Sequence, residues 1–310
     1  MAKSFIRLLV VFMVASICGC TSDVNVASES QVEYAEVNLS FFQKTITAMG
    51  KPLTRADETK SSLQKSFTRL DVSFFPVNGK FNDLNSSDKI YSYHQTDPSS
   101  ADFGKLAVTL PVGKYTLVAV ASKASNAMKM TSPELVSFPD EKVTDMAYVC
   151  QSFEVTKAGT ALDCNLKRTV AKFVLQATDS KNPDITKIKL SFSGKCNHSF
   201  NPSTGNAIDD GVKTYERVFD VSKLSNPNTP TVTFYTLLQD ESDNLSVGLS
   251  IYNSKDTEVK ALSFSDVLLK QDCQTTYTGP LFSVNGSVNF SIATADFKES
   301  GGDEAFGIDK

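Results

Sequence analysis

The stretch 244-NLSVGLSIY-252 is the clearest structural signal in the chain. Leu245, Val247, Leu249 and Ile251 occupy every second position, with Ser and Gly between them. Successive side chains of a strand point to opposite faces, whereas a helix repeats every 3.6 residues. The spacing therefore predicts an antiparallel strand with one face in a core and the other in water.

The same alternation recurs at Val37, Leu39 and Phe41, at Leu70, Val72 and Phe74, at Leu106, Val108 and Leu110, and at Ile188, Leu190 and Phe192. Turn signals fall between these runs: Asn78-Gly79, Pro111-Val112-Gly113, Lys157-Ala158-Gly159 and Asn285-Gly286. Short helices are predicted only near Ser61–Phe67 and Val143–Tyr148. Many short strands separated by turns predict β-sandwiches, and 310 residues suit two better than one. Leu162–Leu175 (LDCNLKRTVAKFVL) reads as a strand that closes one unit and leads into the next, without a Gly/Ser-rich linker. The expectation is an all-β chain: a sandwich over residues 32–165, a second over 166–295 with the seam near Leu166, and a tail over 296–310.

Hydrophobic residues make up 41% of the chain and charged residues 21%, enough apolar content for a packed core. Lys and Arg number 31 against 35 Asp and Glu, a formal net charge of −4, and no basic cluster of five or more residues occurs. Nothing in that balance draws the chain to nucleic acid. The 21 Phe and 9 Tyr, with no Trp, favour strands and turns.

The first residues read as an address. Lys3 and Arg7 precede an apolar run, Leu8–Cys18, that is shorter than the ~20 residues of a spanning helix. No later stretch is as hydrophobic. The run ends in Ile17-Cys18-Gly19-Cys20, which resembles a bacterial lipobox. That resemblance implies cleavage between Gly19 and Cys20 after the Cys20 sulfur has taken a diacylglycerol, so Cys18 leaves with residues 1–19. An ordinary signal peptide is the alternative. Acyl chains bury methylenes at ~0.8 kcal/mol each, which makes such anchoring effectively permanent. Residues 20–31 are polar and read as a tether. Asp23 in that tether loosely resembles the acidic surface-export signals of Bacteroidetes lipoproteins.

Catalytic patterns are absent. The two histidines, His94 and His198, stand in polar settings and are expected to be exposed, and there is no GxSxG, HExxH, P-loop or GxGxxG. Asp240, Glu241 and Asp243 lack the ligand spacing of a Ca²⁺ loop and read as a solvated hairpin tip, as does Asp209-Asp210-Gly211. No carboxylate pair is singled out for glycosidase chemistry. An enzyme is not expected, nor a cofactor, nor a metal site. Four cysteines follow the leader: Cys150, Cys164, Cys196 and Cys273. Cys150 and Cys164 flank the Lys157-Ala158-Gly159 turn symmetrically and are candidates for a cross-strand disulfide; Cys196 and Cys273 fall together in the second unit. Buried free thiols are the alternative for all four.

Thr68–Lys80 (TRLDVSFFPVNGK), Leu110–Ala121 (LPVGKYTLVAVA), Ser132–Asp145, Leu166–Phe173 (LKRTVAKF) and Thr276–Phe282 (TYTGPLF) together resemble the Bacteroidetes fimbrial anchor lipoproteins, the FimB/Mfa2 family, related to the fimbrillins. Their order spans most of the chain beyond residue 31. The resemblance implies two tandem transthyretin-like sandwiches and an outer-membrane lipoprotein at the base of a fimbrium. Its partners would be fimbrial subunits, joined by β-strand addition. Related shaft subunits are cut after an Arg, and loss of their first strand opens a groove for a neighbour's strand. Arg55, in Leu53–Asp57 (LTRAD), is the candidate here. Cleavage there would make a polymerising subunit, and its absence an anchor. A surface adhesin for a glycan or a host protein is the alternative function; the lack of Trp speaks mildly against carbohydrate stacking.

Overall fold

The computed structural model describes residues 32–45, 59–61, 63–77, 89–283 and 290–296. No α-helix occurs among them; the protein is all-β. The first half runs β1 (Tyr34–Thr45), β2 (Thr59–Ser61), β3 (Arg69–Pro76), β4 (Tyr91–Gln95), β5 (Lys105–Pro111), β6 (Gly113–Ser122), β7 (Lys129–Ser132), β8 (Leu135–Ser137), β9 (Met146–Val155) and β10 (Thr160–Arg168). The second runs β11 (Ala171–Ala177), β12 (Ile185–Gly194), β13 (Cys196–Asn197), β14 (Ser199–Phe200), β15 (Lys213–Asp220), β16 (Thr231–Leu238), β17 (Ser242–Asn253), β18 (Glu258–Lys270), β19 (Cys273–Gly279) and β20 (Ser291–Asp296).

In the second half, the order β13-β16-β11-β19-β20 faces the order β15-β12-β17-β18 across one core. Leu245, Val247, Leu249 and Ile251, on β17, all enter it at 1% exposure or less, as the period-two reading requires. Phe173, Phe192 and Phe234 meet at its centre, with the last two stacked at 3.9 Å. In the first half, β9-β6-β3-β4 faces β10, β1 and β5 across a second core holding Val37, Leu39, Phe41, Leu70, Val72 and Phe74.

The two halves repeat one pattern. The first strand of each lies between an antiparallel partner and a parallel one: β1 between β5 and β10, β11 between β16 and β19. The turns at Pro111-Val112-Gly113 and Lys157-Ala158-Gly159 fall between β5 and β6 and between β9 and β10. Gly159 needs its φ of +87°, in the left-handed region where glycine carries no Cβ penalty.

A third core departs from the expectation of solvated outer faces. Phe75, Val118, Val120, Met146 and Tyr148 from the first half pack with Phe200, Tyr235 and Leu237 from the second. As a result β3 is buried along its whole length, on both faces. Its polar residues pair internally: Arg69 Nε donates to Asp71 Oδ1 at 2.8 Å, and Asp71 Oδ2 accepts from the Met128 amide at 3.1 Å. Gly205 closes against this layer with φ of +86°, where a Cβ would overlap the Tyr148 hydroxyl.

The two expected helices are corrected. Near Ser61–Phe67 only a 3₁₀ turn forms, Leu63–Lys65, with Leu63 and Phe67 buried. Val143–Tyr148 is not helical: Met146 already begins β9 and pairs with Ser122. The β-branched Val143 and Thr144 lead into a strand whose first four residues are buried.

Candidate contact strand and surface cleft

Strand β1 is held on both edges. It pairs in parallel with β10 from Val37↔Thr160 to Gln43↔Leu166, and antiparallel with β5 from Tyr34↔Pro111 to Ser40↔Lys105. Ala35, Val37, Leu39 and Phe41 point into the core of the first half at 7% exposure or less. The Phe41 amide donates to the Gly104 carbonyl at 2.7 Å, and Lys157 meets Glu33 at 2.7 Å just ahead of the strand. The outer face of β5, β1 and β10 forms an open groove of about 850 Å³ lined by Asn38, Ser40, Lys105, Ala107, Ala161 and Asp163. Gly19, Cys20 and Arg55 lie outside the described residues, as do the Asn78-Gly79 and Asn285-Gly286 turns.

Sheet edges carry exposed apolar side chains: Val218 on β15, Val259 and Leu268 on β18, and Ile292 on β20. A bulge at Asp266, with φ of 57°, breaks the register between β17 and β18 and twists that edge. β20 pairs with β19 from Cys273↔Asp296 to Thr278↔Ser291, and residues 291–295 are all exposed.

The second half also carries a cleft of about 450 Å³ between β15 and β16, bordered by residues 140–143. Asn197, 2% exposed, is its hub. The Asn197 Oδ1 accepts from the His198 amide at 2.7 Å, the Ser199 amide at 3.2 Å and the Tyr215 hydroxyl at 3.1 Å. Its Nδ2 donates to the Ile208 carbonyl and to Asp210 Oδ1, both at 2.9 Å. The His198 ring meets Tyr215 edge-on at 5.7 Å, and its Nδ1 is buried with no protein partner. Burial, helped by Cys196, Asp210 and Glu141, pushes the Tyr215 hydroxyl up to about 12, so it stays a donor at neutral pH. Arg217 Nη2 donates to the Val143 carbonyl at 2.9 Å, and its guanidinium lies 5.3 Å over the Phe234 ring. At the rim Asp140 and Glu141 both adopt φ of 54°.

His198 is thus half-buried rather than exposed, while His94 is exposed. The hairpin tip at Asp240 and Glu241 is exposed, paired with Lys195 at 3.3 Å and Lys270 at 3.4 Å. Asp243 instead turns inward and accepts from the Asp240 amide at 2.9 Å. Among the described residues no group of three His, Cys, Asp or Glu is arranged to hold a metal, and no helix is long and apolar enough to cross a membrane.

Neither expected disulfide has the geometry of one. Cys164 lies in the core of the first half and accepts from Gln151 Nε2 at 3.5 Å, whereas Cys150 packs against the third core on the other face of the sheet. Cys196 on β13 and Cys273 on β19 are separated by β16 and β11, about 14 Å at ordinary strand spacing. A disulfide joins Cα atoms within about 7 Å. Cys150, Cys164 and Cys196 carry free thiols. Burial pushes Cys164 up to about 12 and Cys196 up to about 11, which keeps both protonated and unreactive.

No curated protein matches the chain in sequence. Solved structures similar to it include a candidate polysaccharide-binding protein (DUF1812) from Bacteroides thetaiotaomicron, at 13% identity and TM-score 0.49, covering 86% of this chain and 100% of that one. Another is a candidate adhesin from Bacteroides ovatus, at 11% identity and TM-score 0.49, covering 86% and 96%. The fimbrial anchor protein Mfa2 from Porphyromonas gingivalis is a third, at 15% identity and TM-score 0.44, covering 85% and 98%. The profile of DUF6562, a family of unknown function, matches residues 140–304, more than half of the chain, and the chain belongs to that family.

Proposed function

We propose that this chain is a non-catalytic fimbrial anchor or minor fimbrial subunit, held at the outer membrane by lipid on Cys20. In this reading it is built of two tandem transthyretin-like sandwiches, residues 32–165 and 166–295. It receives a neighbouring subunit by strand pairing along a sheet edge or slot, which brings to this chain the role that the name of the Porphyromonas protein states. The observation that carries the reading is β1, a first strand gripped on both edges with four side chains in the core. Kept in place, it completes the sheet and leaves the lipid joined to the fold. Cleavage at Arg55 would separate the lipid from everything after it, and loss of β1 would uncover Leu70, Phe74 and Leu117.

Backbone pairing at an edge supplies affinity, and alternate side chains supply fit. The edges of β15, β18 and β20 offer such pairing. Deleting the protein should leave fimbriae shed into the medium or abnormally long, with the hydrolytic activities of the cell unchanged. Fimbriae of normal length still fixed to the deletion strain would contradict the reading.

A further inference from the structure

We propose that the cleft between β15 and β16 binds a neutral sugar unit of a glycan, a function separate from anchoring. Its volume of about 450 Å³ lies within the range of small-ligand sites. The chemistry of the lining narrows the ligand. A metal ion lacks a three-ligand set among the described residues. A bound anion would face the Asp140 and Glu141 carboxylates at the mouth, with Glu216 held by Lys189 at 3.3 Å beside them. An apolar ligand would desolvate Thr214 and these charges without return.

A polyhydroxylated neutral ring meets every group present. Each sugar hydroxyl both donates and accepts, so neighbouring hydroxyls can satisfy the Glu141 carboxylate and the Arg217 guanidinium together. Tyr215 and His198 supply an aromatic border against which the C–H face of a sugar can lie.

The site is also built in advance. Asn197 makes five hydrogen bonds that fix the His198 backbone and the Tyr215 hydroxyl before any ligand arrives. Two successive non-glycine residues, Asp140 and Glu141, sit in the left-handed region at the mouth, which L side chains rarely adopt. Strain of that kind gathers at ligand clamps.

The test is the mature protein on an array of defined oligosaccharides, followed by calorimetric titration of the best-bound one. The expected result is binding of at least one neutral glycan, weakened about tenfold or more by Glu141→Ala, which removes one charge-assisted contact. Thr214→Trp, which fills the cleft from an exposed position, should abolish it. Both variants should melt as the wild type does. Binding to no glycan, binding only to acidic glycans, or an affinity unchanged in both variants would overturn the proposal. None of these outcomes alters the fimbrial phenotype on which the anchoring role is judged.

Discussion

Arg168 grips Asp145 through two hydrogen bonds where the halves of the protein join: Nε meets Oδ1 at 2.8 Å and Nη2 meets Oδ2 at 3.3 Å. The side chains are 7% and 4% exposed. Arg168 ends β10, Asp145 leads into β9, and a further carboxylate, Asp272 from the β18–β19 turn, stands 3.7 Å from Arg168 Nη1. Removing one member of a buried pair strands the other charge. Arg168→Met should therefore cost about 3–5 kcal/mol in urea unfolding. Adding Asp145→Leu should recover a good part of that loss. A loss below about 1 kcal/mol would mean the pair behaves as a surface ion pair.

Asp179 clasps the segment that follows β19. Its carboxylate accepts from the amides of Leu281 at 2.6 Å, Phe282 at 2.9 Å and Ser283 at 2.7 Å, and from the Ser283 hydroxyl at 2.7 Å. Burial alone would raise its pKa, but the Ser283 hydroxyl and the three amides outweigh burial and hold it below 3.8. A depressed folded-state pKa contributes stability above the unfolded value, and that stability is lost as pH falls through the folded value. Asp179→Asn should cost about 1–2 kcal/mol near pH 7. The gap to wild type should narrow as pH falls below the ordinary carboxylate range and close once the native carboxyl is itself protonated. A gap independent of pH would contradict the charged clasp.

Along β17, alternation converts into a stability pattern. Leu249→Ala empties part of a core position that is 1% exposed and should cost about 2–5 kcal/mol in chemical unfolding. Ser246→Ala, on the solvent side of the same strand, should stay within about 0.5 kcal/mol. Comparable losses at the two positions would contradict the one-sided burial of this strand.

The same strand shows what the sequence makes legible. Leu245 to Ile251 reveal their face because the residues between them, Ser246, Gly248 and Ser250, are small and none of them is buried. Strand β3 carries similar alternation, yet Arg69, Asp71 and Ser73 are buried as well, since they satisfy one another and Ser92 beneath the third core. Polar spacing cannot tell water from a partner 19 residues away. The cysteines went astray by parity. Symmetry about the turn places Cys150 near Cys164, but the register Lys167↔Tyr148 sets Cys164 against Gln151. One residue of offset turns a side chain to the other face. His198 acquires its cleft from residues 140–143 and 214–217, which lie far from it in the chain and carry no local motif.

Intact mass and N-terminal identity of the protein purified from native membranes decide whether it remains lipid-held with β1 in place. The expected chain begins at acylated Cys20 and retains Tyr34–Thr45. Cys20→Ala should abolish the lipid mass and release the protein from the detergent-extracted membrane fraction. A native chain beginning at Ala56, after Arg55, and free of lipid would contradict lipid anchoring and identify a polymerising subunit instead.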